Sequence, residues 1–219
     1  MKVKIYVEGG GDSKELHSRC RRGFRKLIER AGFVRRMPAV VACGGRGNAF
    51  DLFRTAATSG DPALYPMLLL DSEDPLTETA DERTSAVAWY HLESRDGWMR
   101  TDDMEDDQAQ LMVTCMETWI MADRPALRTT FGAALRMNAL LPETNLETRP
   151  RREVQQALET ATKDCGRDKA YRKGRKSFQV LEQWDPITLR RHLRTFRGLL
   201  TPSTAICRES TNEIGRAHV

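Results

Sequence analysis

The chain has 219 residues, 40% of them hydrophobic and 30% charged, with a formal net charge of +4. That suits one domain with a real core, or a core plus a smaller appendage. No window approaches the roughly 18 consecutive apolar residues that read as a membrane-spanning helix, so no membrane association is expected. The N-terminus enters a strand pattern directly, without the basic-then-apolar start of a secretory signal, so a cytoplasmic location is expected. Cys20, Cys43, Cys115, Cys165 and Cys207 are widely spaced with no C-x-x-C, and the four histidines are scattered. A structural zinc site is therefore not expected, and reduced, mostly buried thiols are.

Val3-Lys4-Ile5-Tyr6-Val7-Glu8 reads as the first strand and runs into Gly9-Gly10-Gly11-Asp12. Asp12 and Glu15 stand at capping-box spacing before a helix whose apolar stripe is Leu16, Cys20, Phe24, Leu27, Ile28 and Ala31, ended by Gly32. Pro38 to Cys43 reads as a second strand, and Gly44-Gly45-Arg46-Gly47-Asn48 as a turn into a short helix through Phe50, Phe53 and Ala57. Met67 to Leu70 is the third strand, and Ala86-Val87-Ala88-Trp89-Tyr90 is a candidate fourth. Continuous rather than alternating hydrophobicity, with helices between the strands, predicts a mostly parallel α/β sheet covered on both faces.

The remainder reads as mainly helical. Gln108 to Met121 is strongly apolar, and strand and helix are hard to separate there. Asp123 can cap a helix carrying Leu127, Phe131 and Leu135, and Val154 to Ala161 marks another. Asp185-Pro186 is a cap and first-turn pair for a helix with Leu189, Leu193, Phe196 and Leu200. The expected division is an α/β core over residues 1–105, a mainly helical part over 106–200 completing the same domain, and a tail from 201. Glu213 to Val219 back-translates to a common sequencing-adapter read, so the tail receives no functional weight.

The chemistry concentrates where strands end. Leu68-Leu69-Leu70 stops at Asp71-Ser72-Glu73-Asp74, and the first strand stops at Glu8. In open α/β sheets ligands bind at the C-terminal edge of the strands. Carboxylates about 4 Å apart repel by roughly 4 kcal/mol at an effective dielectric near 20. Such a cluster persists only with a proton, a cationic side chain or a metal ion to neutralise it, and a Mg²⁺ site is the leading reading. Charge is also unevenly distributed: residues 71–107 hold thirteen acids against three arginines, and residues 149–197 hold fourteen Lys or Arg against six acids. An acidic edge beside a basic flank suits a metal-dependent enzyme acting on a polyanion, and equally suits ordinary solvated surface. Gly9-Gly10-Gly11-Asp12-Ser13-Lys14 lacks the ending of a P-loop, so it is not read as one.

Val7-Glu8-Gly9 after the first strand and Asp71-Ser72-Glu73 after the third resemble the Toprim domain of topoisomerases, primases and OLD-type nucleases. The resemblance implies Mg²⁺ or Mn²⁺ held by Glu8, Asp71 and Glu73. Glu73 stands where that family has Asp, and Asp74 is the alternative ligand. By the same resemblance Asp12 and Glu117 would complete a second ion, and Lys173 or Lys176 would act near the scissile phosphate. With Asp106-Asp107-Gln108 and Met116-Glu117-Thr118-Trp119, these motifs look more narrowly like the bacterial domain-of-unknown-function 4276 family, over about residues 2–200. That likeness implies a Toprim-like fold and frequent encoding beside an AAA ATPase.

Two functions follow as expectations. The first is a Mg²⁺-dependent nuclease, a phage-defence effector acting on DNA or RNA with an ATPase partner. The second is a non-catalytic Toprim-like module that docks an ATPase or nucleic acid. Phosphoryl or nucleotidyl transfer to a small substrate is a third reading compatible with the same site. Asp12 can equally be a helix cap, Glu73 and Asp74 exposed turn residues, and Glu117 a salt-bridged structural acid.

Overall fold

A computed structural model describes residues 1–33, 37–76, 84–166 and 170–199. The tail from 201 lies outside the described residues. Four strands, β1 (Lys2–Val7), β2 (Ala39–Ala42), β3 (Leu64–Asp71) and β4 (Ala109–Met112), form one sheet in the order β2-β1-β3-β4, with every pairing parallel. Register is direct: Val7 faces Ala42 on one side and Leu69 on the other, and Asp71 faces Met112. All four strands therefore end along one edge.

Both faces are covered, which explains the unbroken hydrophobic runs. Val3, Ile5, Val7, Met67, Leu69 and Met112 point to one side, where α1 (Lys14–Arg30) packs with the C-terminal helices. Tyr6, Leu68, Leu70, Ala109 and Leu111 point to the other, against α2 (Arg46–Ala57) and α3 (Thr84–Asp96). Alternation along each strand splits the core into these two layers.

The expected fourth strand at Ala86–Tyr90 is instead part of α3. Ala88, Trp89 and Leu92 are buried while Tyr90 is 58% exposed, the spacing of a helix with one apolar face. The strand comes from the Gln108–Met121 run, which divides into β4 and α4 (Met116–Ala122). Next come α5 (Arg124–Phe131), α6 (Arg151–Thr162) and α7 (Arg175–Leu181). The helix expected from Asp185 onward is two, α8 (Pro186–His192) and α9 (Arg194–Leu199), because Leu193 turns to extended backbone between them.

Caps fix several of these boundaries. Asp123 accepts from the Ala126 N–H at 2.9 Å and, through its other oxygen, from the Asp185 N–H at 2.7 Å. One carboxylate thus starts α5 and anchors the residue that caps α8. The cap of α1 is Ser13, whose hydroxyl accepts from the Leu16 N–H at 3.5 Å, rather than Asp12. Cys20, Cys43, Cys115 and Cys165 are buried thiols. Among the described residues no helix is long and apolar enough to cross a membrane.

Candidate metal centre

Glu8 follows β1 directly, and Asp71 is the last residue of β3, so neighbouring parallel strands deliver both to the same edge. The Glu8 N–H still donates to the Leu69 carbonyl at 3.0 Å, extending the ladder one residue, while the Asp71 N–H donates to Glu8 Oε2 at 3.3 Å. Asp71 is buried, and its Oδ1 accepts the Met116 N–H at 2.8 Å from the start of α4. Beyond Asp71 the chain turns sharply. Glu73 takes a left-handed φ of 70°, costing roughly 1 kcal/mol or more for a residue with a Cβ. Its N–H donates to the Thr114 carbonyl at 2.7 Å, which holds that turn.

The result is a cluster in which one oxygen each from Glu8, Asp71 and Glu73 lies within 4.8 Å of the others. Burial, then the charges of Glu8 and Glu117, push Asp71 well above the ordinary carboxylate range, against the opposing effects of Lys173 and the Met116 N–H. Burial also raises Glu8, despite Arg46, the Asp71 N–H, Lys173 and Arg151 pulling it down. Glu8 and Asp71 are thus held where their charge is costly, and a divalent ion would relieve that cost.

Glu117, on α4, lies behind this cluster and is fully buried. Its Oε1 accepts from the Tyr171 hydroxyl at 2.6 Å, and Tyr171 shares a second contact of 2.8 Å with Ser177. Its Oε2 is buried without a hydrogen-bond partner. A buried carboxylate oxygen without a partner, whose charge reaches Asp71, calls for a proton or a cation nearby. An all-oxygen donor set suits Mg²⁺, Mn²⁺ or Ca²⁺ rather than zinc or copper.

Cations ring the acids. Arg46 lies 3.6 Å from Glu8 Oε2, donates to the Asp71 carbonyl, and grips Asp96 through Nε at 3.1 Å and Nη2 at 2.6 Å. Burial acts against the charge of Asp96, yet the hydrogen bonds and charge of Arg46 hold it below its usual range. Arg151 forms an ion pair with Glu73. Lys173 is exposed, and its charge bears on both Glu8 and Asp71.

Of the residues expected from sequence, Glu8, Asp71 and Glu73 come together, with Glu117 behind them. Between the two alternatives after β3, Glu73 is in the cluster. Asp74 is exposed, with its carboxylate 3.4 Å from Arg95. Asp12 is exposed in the glycine turn and is not part of the cluster. Lys176 sits half-buried in the first turn of α7. Sequence reading did not single out Arg46, Asp96, Arg151 or Tyr171. Arg46 carried a usable signal: it follows β2, and in a parallel sheet the turn after β2 opens on the same edge as Glu8.

Fold and site together define a parallel α/β protein with a carboxylate cluster, able to hold a metal ion, at the C-terminal edge of its sheet. The chain belongs to the family described as domain of unknown function DUF4276, whose model matches residues 7–202. No curated protein and no solved structure matches the chain.

Proposed function

We propose that the chain is a Mg²⁺- or Mn²⁺-dependent nuclease related to the Toprim and OLD-type enzymes, acting in phage defence with an AAA ATPase. The observation that carries the reading is the convergence of Glu8, Asp71 and Glu73 within 4.8 Å at the strand edge, backed by the orphaned Glu117 oxygen. Glu8, Asp71 and Glu73 would hold the ion, with Glu117 as a further oxygen. A bound ion would supply an activated water and neutralise charge on the phosphate oxygens.

The protein's own residues account for the rest. Met116 N–H fixes Asp71 Oδ1 and so orients the carboxylate that would hold the ion. Arg46, clamped by Asp96, steadies Glu8. Lys173 and Arg151 supply positive charge where negative charge develops in the displacement. A core that buries Asp71 keeps the local dielectric low, which strengthens each of these interactions.

The test is cleavage of plasmid DNA and of tRNA by purified protein, with Mg²⁺, with Mn²⁺ and with chelator, beside Asp71→Ala. Metal-dependent cleavage that falls by on the order of a hundredfold or more in the variant is expected. Cleavage undiminished in Asp71→Ala overturns the assignment. A second reading, a non-catalytic module docking an ATPase or nucleic acid, is favoured by the fact that Arg46 and Arg151 already pair with Glu8 and Glu73. It predicts weak or no metal binding and full biological activity of Glu8→Ala.

A further inference from the structure

Glu73 enters the cluster already engaged. Its partner, Arg151, is the first residue of α6, and the entry to α6 is tied to the Glu73 turn through one buried residue, Thr114. Thr114 accepts the Glu73 N–H on its carbonyl at 2.7 Å and donates its hydroxyl to the Arg149 carbonyl at 3.1 Å. Thr114 thus ties the Glu73 turn to the residues leading into α6 and holds Arg151 beside Glu73.

In that pair the arginine side chain is the more exposed, 37% against 18% for the glutamate, so it stands at the rim of the site. The pair engages Glu73 through Oε2, so an ion that takes that oxygen displaces Arg151. Once displaced, Arg151 remains tethered beside the site through the Thr114 link, with its anion gone. The anion that best fits a planar five-donor fork, and that a metal-bound substrate brings with it, is a phosphate. Arg46 suits this part less, because Asp96 holds its Nε and Nη2 and the Asp71 carbonyl holds its Nη1.

We propose that Arg151 is the phosphate-binding residue of the site, and that its transfer from Glu73 to phosphate makes ion binding and phosphate binding reinforce each other. This rests on the reading of a metal-dependent phosphodiesterase and adds a coupling to it. The apo protein keeps Glu73 occupied, and the ion and the substrate together release it.

Calorimetry on the full chain tests this, with Mn²⁺ titrated alone and with saturating thymidine 5′-monophosphate, for the wild type, Arg151→Gln and Arg151→Lys. In the wild type the nucleotide tightens Mn²⁺ by about fivefold or more, and Mn²⁺ tightens the nucleotide by the same factor, as linkage requires. In Arg151→Gln, Mn²⁺ alone binds more tightly because Glu73 is free, and the coupling factor falls at least about fivefold below that of the wild type. Arg151→Lys keeps the charge without the fork and falls between them. It also carries the comparison if the glutamine variant does not fold. Wild-type coupling in both variants, or weaker Mn²⁺ binding by Arg151→Gln, overturns the role of Arg151 while leaving the metal centre standing. No Mn²⁺ binding by the wild type overturns both.

Discussion

Replacing Asp71 by asparagine removes one charge from the cluster while keeping an oxygen to accept the Met116 N–H. The acid oxygens lie within 4.8 Å of one another, and two unit charges at such a distance repel by roughly 3 kcal/mol at an effective dielectric near 20. Lys173 and the Met116 N–H offset part of this, so Asp71→Asn is expected to stabilise metal-free protein by about 1–3 kcal/mol near pH 8. At about 2–4 °C of Tm per kcal/mol for a chain this size, the gain is several degrees. Its pH dependence is the sharper check. Asp71 is raised well above its ordinary value of 3.8, so the folded state binds that proton more tightly than the unfolded chain. Stability conferred by that proton is full below the ordinary value and is lost as pH rises through the raised one. Asparagine does not titrate, so the advantage of the variant is near zero around pH 4 and grows with pH. Urea unfolding in chelator across this range measures it, and saturating Mg²⁺ should then stabilise only the wild type. A variant less stable than wild type in chelator near pH 8, or a difference that does not change with pH, refutes the reasoning.

Tyr171→Phe removes the donor to Glu117 Oε1, leaving both oxygens of a buried carboxylate without a partner. A loss of about 1–3 kcal/mol in urea unfolding is expected. Gly23→Ala drives a Cβ to 1.8 Å from Leu181 Cδ2, where α1 packs on α7. It should cost about 1–3 kcal/mol alone. Adding Leu181→Ala should give a double variant more stable than the two separate losses sum to, measured as a double-mutant cycle.

Much of the sheet was legible because its strands are buried on both faces. Unbroken apolar runs such as Leu68-Leu69-Leu70 have no competing helical reading of adequate length, and their terminal acids mark the edge. The fourth strand was misplaced because Ala86–Tyr90 is short enough to fit either periodicity. Only Leu92, beyond the run, reveals the helical face. The true strand was hidden inside a longer apolar stretch that changes from strand to helix between Met112 and Met116. Glu8, Asp71 and Glu73 were legible as strand-end acids. Glu73 and Asp74 separate only through the left-handed turn at Glu73 and the exposed ion pair of Asp74 with Arg95. The partnership of Arg151 with Glu73 had no local signal, since it arises from the docking of α6 through Thr114.

The turn after β1 and the turn after β2 exchange two hydrogen bonds, each N–H of Gly9 and Gly44 donating to the other's carbonyl at 2.9 Å. A Cβ on Gly44 would meet the Gly11 carbonyl at 2.6 Å, and one on Gly10 would meet the His17 ring at 2.4 Å. These loops therefore behave as a single clasp joining the carboxylate at one strand end to the arginine beyond the other. An insertion or a bulky residue in either loop would unfasten both, shifting Glu8 and Arg46 together while the sheet beneath stayed intact.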